Sequence, residues 1–299
     1  MDTCKVTVVI PTYKRSDQLL ETLDKILQCH PRPNEIIIHI DGNDTTTEPI
    51  VKNRKFPDLK IINNSRQVGP GGGRNLAIAH ATNSIIASFD DDSYPIDPDY
   101  FTRLEALFHQ FPDAAIIAAN IFHLGEPIQA DTFFAQWTAD FVGCGCAYRK
   151  DIFLQTTGYV SLPLAYGMEE TDLCLRLHEM GWKVLTSSWL RVFHNTRLDH
   201  HQNPRITAAS IANQALLAYL RYPISLWWLG VAQCVNRIIW LIRHQRINGI
   251  IQGIAIIPTL LQQHHQQRQP ILRSSVLSYL ERRRKPIVVE IPEFKTLNY

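Results

Sequence analysis

The 299-residue chain lacks several features that would assign it to a protein class at once. Its six cysteines include no Cys-x-x-Cys pair, so the sequence offers neither a disulfide framework nor a four-cysteine zinc site. No signal peptide precedes the first apolar segment, and we therefore expect a reducing, cytoplasmic setting. Charged residues make up only 19% of the chain and hydrophobic residues 45%, which favours a packed globular core over disorder.

The charges that are present are unevenly distributed. Residues 1–199 contain 18 Lys and Arg against 25 Asp and Glu, a net charge of −7. Residues 200–299 contain 12 against 3, a net charge of +9. This asymmetry predicts an acidic body joined to a basic region that meets an anionic surface. We divide the chain accordingly into a catalytic domain over residues 1–205 and a basic helical region over residues 206–299.

Apolar strand-like runs alternate with helical patterns through the first two thirds of the chain. Residues 5–10 (KVTVVI) and 35–40 (EIIIHI) are β-branched runs, and further strands are predicted at 59–62 and 84–89. A glycine-rich turn leads into a predicted helix at 71–81. This alternation predicts an α/β fold with a mainly parallel sheet covered by helices on both faces.

Three consecutive acidic residues, Asp90, Asp91 and Asp92, follow the fourth predicted strand. Adjacent carboxylates raise one another's pKa by repulsion, so a divalent cation with oxygen ligands is their simplest neutraliser. In open α/β sheets, ligands bind outside the carboxyl ends of the strands, which is where this run lies. We therefore predict a metal and diphosphate site here in preference to a solvated acidic turn.

Five motifs occur in a fixed order: residues 6–15 (VTVVIPTYKR), Asp41, residues 68–75 (VGPGGGRN), the acidic run 90–92, and residues 166–176 (YGMEETDLCLR). Together they resemble the family 2 glycosyltransferases, inverting enzymes of the GT-A fold that use nucleotide sugars. The resemblance covers about the first two thirds of the chain. It implies a Rossmann-like, mainly parallel sheet flanked by helices, followed here by a C-terminal helical extension.

The resemblance also implies a donor site for the nucleotide. Pro11, Thr12, Tyr13 and Arg15 would border the nucleotide, and Asp41 would accept a hydrogen bond from the imide N–H of uracil or thymine. A carboxylate only accepts hydrogen bonds, which suits an imide donor. The remaining residues of the predicted donor site are Arg74, Asp90 and Asp91.

A metal site is implied in the same region. The resemblance assigns Mn²⁺ or Mg²⁺ to Asp90, Asp92 and His194, where the ion would bridge the diphosphate and stabilise the leaving nucleotide. Cys144 and Cys146 have Cys-x-Cys spacing, but small apolar filling beside a glycine turn is the preferred interpretation. We assign these two cysteines no chemistry at this stage.

The acidic motif near residue 170 supplies the predicted catalytic base. Direct displacement at an anomeric carbon needs a carboxylate that removes the proton of the acceptor hydroxyl. By register with the family motif, Glu170 takes this position. The family most often has Asp where this chain has Glu170, and the longer side chain leaves Glu169 and Asp172 open as alternative bases.

The basic helical region contains two strongly apolar segments, residues 224–235 and 250–261, each of about a dozen residues. A membrane-spanning helix needs roughly 20 residues, so these segments are predicted to be too short to span. Their tryptophans alternate with arginines, as in helices at the level of lipid headgroups. Peripheral attachment to the inner face of the cytoplasmic membrane and packing on the catalytic core both remain open, and no nucleic-acid partner is expected.

The sequence therefore predicts a metal-dependent inverting glycosyltransferase in polysaccharide or cell-surface glycan biosynthesis. The donor would be a nucleoside-diphosphate sugar, most often UDP- or dTDP-linked, with GDP also open, and the acceptor a hydroxyl of a saccharide or lipid-linked glycan. Two rivals are kept. A sugar-nucleotide nucleotidyltransferase would need a glycine-rich, basic N-terminal loop, which residues 6–15 lack. A non-catalytic scaffold of a polysaccharide assembly complex would have lost the acidic site, which is present.

Overall fold

The computed structural model describes residues 2–162, 166, 168–196 and 203–291, which form a mixed β-sheet flanked by helices. The strands are β1 Thr3–Thr12, β2 Arg32–Ile40, β3 Leu59–Asn63, β4 Ile85–Phe89, β5 Ser93–Pro95, β6 Ala114–His123, β7 Phe134–Thr138, β8 Gly145–Arg149, β9 Lys183–His194 and β10 Ile287–Glu290. Their order across the sheet is β10-β7-β9-β6-β8-β4-β1-β2-β3, and β5 pairs with β9.

The helices alternate with the strands in the first part of the chain and follow one another after β9. They are α1 Ser16–Leu27, α2 Thr47–Asn53, α3 Gly69–His80, α4 Tyr100–Gln110, α5 Lys150–Leu154, α6 Glu169–Glu179, α7 Pro204–Arg221, α8 Trp227–Arg243, α9 Ile250–Gln263 and α10 Arg273–Arg284. The predicted helical character of the region after residue 206 is thus confirmed as far as Arg284, after which the chain adds strand β10 to the sheet.

The first half of the sheet is parallel, as the alternation of strands and helices predicts. β1 lies between β2 and β4, with Val8 opposite Ile36 on one side and Ala87 on the other. β3 continues the sheet beside β2, also in parallel. Because the carboxyl ends of parallel strands meet at one edge of a sheet, the residues that follow β2 and β4, Asp41 and Asp90, lie at the same edge.

The second half of the sheet is mixed. β8 lies between β4 and β6 and is antiparallel to both, and β7 is antiparallel to β9 and β10. The prediction of a mainly parallel sheet therefore holds only for β1 to β4, with one further parallel pair between β6 and β9. The sequence gives no local sign of β8 because its five residues lie in a segment of small residues, and distant strands fix its pairing.

Buried side chains form two hydrophobic clusters. Val8 belongs to one cluster and Val9 to the other, so the alternation along β1 places the clusters on opposite faces of the sheet. The cluster with Val9 also includes Leu216 and Leu220 of α7 and Tyr279 of α10. The C-terminal helices α7 and α10 therefore share a core with the first two thirds of the chain.

A buried ion pair also joins the two parts of the chain. Arg221 at the end of α7 places Nε 2.5 Å from Asp172 Oδ1 of α6. Arg176, one turn further along α6, places Nη2 2.6 Å from Asp172 Oδ2. The side chains of Asp172 and Arg221 are 0% and 1% exposed. The predicted domain boundary after residue 205 thus separates segments in direct contact, and the boundary itself stays a prediction.

Helices α8 and α9 present apolar side chains to the outside. Trp228 is 65% exposed and Ile251 79% exposed. The helical segment Ile224–Arg243 has 20 residues and a mean hydropathy of 1.2, so by length and composition it is long enough to cross a membrane. The expectation of a dozen residues was too short because the helix continues through Asn236 and Arg237 instead of ending with the apolar run.

Candidate active site

A cleft of about 560 Å³ opens at the edge of the sheet where β1, β2 and β4 end. Most residues that the sequence predicts for donor and metal binding line it, although they come from four separate segments. The lining residues are Pro11, Thr12, Tyr13, Arg15, Asp41, Gln67, Gly69, Pro70, Asp90, Asp91, Asp92, His194 and Thr196.

Arg15, which follows β1, balances the negative charge of two residues of the acidic run. Its Nη1 lies 2.8 Å from Asp91 Oδ1 and its Nη2 2.5 Å from Asp92 Oδ2. Thr12 Oγ1 donates a hydrogen bond to Asp91 Oδ2 at 2.8 Å. Burial raises the pKa of Asp91 to about 7, although the positive charge of Arg15 opposes the shift. Asp90 is the most exposed of the three carboxylates, and so it is the most accessible to a ligand in the cleft.

His194, the last residue of β9, approaches the acidic run from the neighbouring part of the sheet. Its Nε2 lies 3.1 Å from Asp92 Oδ1 and its Nδ1 3.6 Å from Cys144 Sγ. Burial lowers the pKa of His194, but the hydrogen bond with Asp92 and the negative charge of that residue outweigh burial, so the pKa is raised. One ligand atom each from Asp90, Cys144 and His194 lie within 4.8 Å of one another.

The side-chain cluster Asp90–Cys144–His194 shares two residues with the predicted metal site. The third predicted ligand, Asp92, contacts Arg15 and His194. Cys144 had been assigned no chemistry because its nearest motif, a glycine turn, indicates only close packing. Cys144 and His194 are 50 positions apart, and the pairing of β8 and β9 with β6 brings them together.

Arg74, in the first turns of α3, lies beneath the cleft and is 3% exposed. Its Nε donates to Ser88 Oγ at 2.8 Å, and its Nη2 donates to the carbonyl oxygen of Gly143 at 3.2 Å and forms an ion pair with Asp90. The sequence predicts a nucleotide contact for Arg74. In the structure its contacts are with the protein, and it holds the Asp90 carboxylate in place.

Asp41 follows β2 and is buried at the start of α3. Its Oδ1 accepts hydrogen bonds from the amides of Gly42 and Val68, and its Oδ2 accepts one from Gly69, all at 2.9 Å. A carboxylate has about four acceptor positions, so one on Oδ2 remains for a ligand. Asp41 therefore fixes the turn before α3 and still has room for a single donor such as an imide.

Glu169 and Glu170 occupy the first turn of α6, and Glu170 lies next to Gly143, which Arg74 also contacts; neither glutamate is among the residues that line the cleft. Glu169 is 3% exposed, and its Oε2 has no hydrogen-bond partner within the described part of the chain. Burial and the charge of Glu170 raise the pKa of Glu169 well above its ordinary value. Burial also raises the pKa of Glu170, against hydrogen bonds from its own amide and that of Gly143. Glu170 keeps part of its surface exposed, as a proton acceptor for a bound hydroxyl requires.

Asp172, the third candidate base, lies outside the cleft. Both of its oxygens are bound by the guanidinium groups of Arg176 and Arg221, and the side chain is fully buried. An acceptor hydroxyl would have to displace one of these ion pairs to reach it. Glu169 and Glu170 therefore remain as the candidate bases.

Comparison with known proteins relates the first part of the chain to a family. Residues 7–131 match the family model for glycosyl transferase family 2. A glucosyl-dolichyl phosphate glucuronosyltransferase of Haloferax volcanii is 24% identical over 217 residues, which cover 64% of this chain and 69% of that protein. An O-antigen chain rhamnosyltransferase of Salmonella typhimurium is 24% identical over 222 residues, covering 67% of this chain and 68% of that protein.

The fold has solved counterparts. The structure of GalNAc-T7 with UDP, GalNAc and Mn²⁺ superposes with a TM-score of 0.60 at 14% identity, covering 74% of this chain and 48% of that chain. At this identity the likeness shows the fold alone. The family match over residues 7–131 and the related transferases support a family 2 glycosyltransferase, and the chain has the fold of the solved GT-A glycosyltransferases.

Proposed function

We propose that the protein transfers a sugar from a nucleoside diphosphate to a hydroxyl of a saccharide or lipid-linked acceptor, with inversion at the anomeric carbon. The observation that carries the proposal is that two carboxylates, Asp90 and Glu170, are linked through the buried contact between Arg74 and Gly143. Arg74 pairs with Asp90 on the donor side and donates to Gly143, whose amide donates to Glu170 on the other side. Donor and acceptor groups would thus be held at a fixed separation.

The base of the donor would lie near Asp41. Its one remaining acceptor position suits the imide of uracil or thymine, which favours UDP or dTDP. Guanine also carries a ring N–H, so GDP remains a candidate. Tyr13 is 40% exposed at the rim of the cleft and offers an aromatic face for the base.

A divalent cation fits the cleft. Asp90 and His194 converge there and would hold it, and Asp92 would orient the imidazole through its hydrogen bond to Nε2. The ion, Mn²⁺ or Mg²⁺ in the proposal, would stabilise the negative charge of the leaving diphosphate. Arg15 lies beside the same carboxylates and adds a fixed positive charge.

Glu170 is the proposed base. Its raised pKa makes it a better proton acceptor than an ordinary carboxylate, and its partial exposure lets a hydroxyl approach. Loss of a general base typically lowers the rate about 10²–10⁴-fold. Glu170→Gln should therefore lose transfer by that factor and keep nucleotide affinity, whereas Glu281→Gln, at an exposed position on α10, should match the parent. Equal loss of transfer and nucleotide affinity in Glu170→Gln would instead assign Glu170 a structural role.

The donor site is tested by calorimetric titration with UDP, dTDP, GDP and CDP, each with Mn²⁺ and then with a chelator. Metal-dependent binding of one nucleotide would support the proposal and select the nucleotide sugars for a transfer assay. Failure of all four to bind would favour the non-catalytic scaffold.

We also propose that the protein is cytoplasmic and attaches peripherally to an anionic membrane surface through α8 and α9. Trp228 and Ile251 are strongly exposed there, and Arg243 is exposed at the end of α8. Apolar insertion together with basic charge is typical of interfacial helices. Trp228→Ser combined with Ile251→Ser should abolish flotation with phosphatidylglycerol vesicles, whereas Phe133→Ser, a similarly exposed aromatic in the first two thirds, should not. Unchanged flotation of the double variant would contradict attachment through these helices.

A further inference from the structure

All three carboxylates of the acidic run have a cationic protein partner, but Asp90 has a different one from Asp91 and Asp92. Arg15 contacts Asp91 and Asp92, and Asp92 uses its other oxygen to bind His194. Asp90 differs because it is the most exposed and has its protein partner, Arg74, on one oxygen only. The side chains that converge on a common point are therefore Asp90 and His194 together with a third residue, Cys144.

Cys144 is held rigidly at this point. It precedes β8, is 2% exposed, and its carbonyl oxygen accepts a hydrogen bond from Ser93 Oγ at 2.7 Å. Its Sγ faces His194 Nδ1 at 3.6 Å. Cys146, two residues later, offers a contrast because its Sγ contacts Tyr148 Oη at 2.9 Å and takes no part in the cluster.

We propose that the sulfur of Cys144 is a direct metal ligand alongside Asp90 and His194, so that the site selects a thiophilic divalent ion such as Zn²⁺ or Co²⁺ over Mg²⁺. Thiolate and imidazole ligands suit zinc and cobalt, whereas Mg²⁺ takes almost only oxygen. Binding replaces the thiol proton by the metal, and the proton is released to the solvent. The inference rests on the proposed function and narrows its choice of ion, because a sulfur ligand disfavours the Mg²⁺ that is left open there.

Three protein ligands of this kind leave at least one coordination position free. Open positions are a feature of catalytic metal sites, whereas structural zinc sites are closed by four protein ligands. Asp90 and His194 line the cleft, so an ion that they held would be open to a ligand bound there. A diphosphate oxygen of the donor is the ligand class that the cleft would supply.

The test is titration of the full-length, metal-free protein with Co²⁺ under reducing conditions, followed by near-ultraviolet absorption. Direct sulfur ligation gives a thiolate-to-cobalt charge-transfer band, with one cobalt bound per chain. Cys144→Ser should abolish the band and weaken Co²⁺ and Zn²⁺ binding by about 100-fold, the upper range for loss of an orienting partner of a metal ligand. Cys146→Ser should keep both band and affinity. Cys144→Ala provides a second variant if the serine protein does not fold.

A cobalt complex without the band, or a band that survives in Cys144→Ser and Cys144→Ala or disappears in Cys146→Ser, would overturn the proposal. Absence of cobalt binding would overturn it as well. Nucleotide titration with Mn²⁺ separates this result from the proposed function. Nucleotide binding without a cobalt–thiolate band leaves the transferase proposal standing and rejects the sulfur ligand. A cobalt–thiolate band without nucleotide binding supports the sulfur ligand and rejects the proposed donor site.

Discussion

Replacement of Asp172 by Asn tests whether the C-terminal helices are part of the structural unit that carries the site. Asp172 is fully buried between the guanidinium groups of Arg176 on α6 and Arg221 on α7. Asparagine preserves the shape of the side chain but removes its negative charge. Both guanidinium groups would then remain in the core without a counter-ion.

The size of the effect follows from this burial. Breaking a buried ion pair by removing one partner costs about 3–5 kcal/mol, because the remaining charge stays uncompensated. Here the guanidinium groups keep some backbone and side-chain acceptors, such as the carbonyl oxygens of Gly158 and Gln267, so we expect a value near the lower end, about 3 kcal/mol. At roughly 2–4 °C per kcal/mol for a domain of this size, the melting temperature should fall by about 6–12 °C.

The assay is urea unfolding followed by circular dichroism, with reversibility checked by refolding. The matched control is Asp113→Asn, because Asp113 forms an exposed ion pair with Lys183, with side chains 62% and 47% exposed. An exposed pair contributes at most about 1 kcal/mol. If Asp172→Asn lost no more stability than Asp113→Asn, the conclusion that the Asp172–Arg221 pair joins the two parts of the chain would be refuted.

Two further predictions concern stability. Burial raises the pKa of Glu35, but hydrogen bonds from Lys60, Thr7 and Thr82 outweigh burial and lower the pKa to about 2. The pKa in the folded protein therefore lies below the unfolded value. Its partner Lys60 is half exposed, so solvent screening reduces the contribution of Glu35 to about 1–2 kcal/mol at neutral pH. This stability should be present above pH 4.5 and be lost as the pH falls toward 2, and urea unfolding of Glu35→Gln should not show the loss. Gly71→Ala would place a methyl group against Glu169, and we expect about 1–3 kcal/mol of destabilisation by overpacking; an unchanged melting temperature would contradict this close packing.

The strands that carry the donor side of the cleft were predictable because each is a continuous apolar run with a clear end. The ends of β2 and β4 therefore located Asp41 and Asp90 from local pattern alone. The contacts that Asp41 and Asp90 make in the fold were harder to predict. Arg74 was predicted near the nucleotide, but its ion pair with Asp90 depends on how α3 packs beneath the sheet, which sequence spacing does not reveal.

The features that the sequence did not reveal depend on contacts between distant residues. β8 carries no strand-like run, so its place between β4 and β6 could not be predicted, and neither could the contact between Cys144 and His194. The ion pair of Asp172 with Arg221 joins residues 49 positions apart. Asp172 stays open as a candidate base in the sequence because Glu170 departs from the family's Asp, and sequence spacing does not reveal that Arg176 and Arg221 bind Asp172 in the core.

The peptide segment Gly143–Cys144 contacts both sides of the cleft. Gly143 accepts from Arg74 and donates to Glu170, and Cys144 adjoins His194. The distance between the proposed cation site and the proposed base is therefore set by main-chain atoms, and exchange of neighbouring side chains leaves it unchanged. Substitutions around the cleft would therefore change which donor and acceptor fit the proposed site. The distance between the proposed cation site and the proposed base would stay the same.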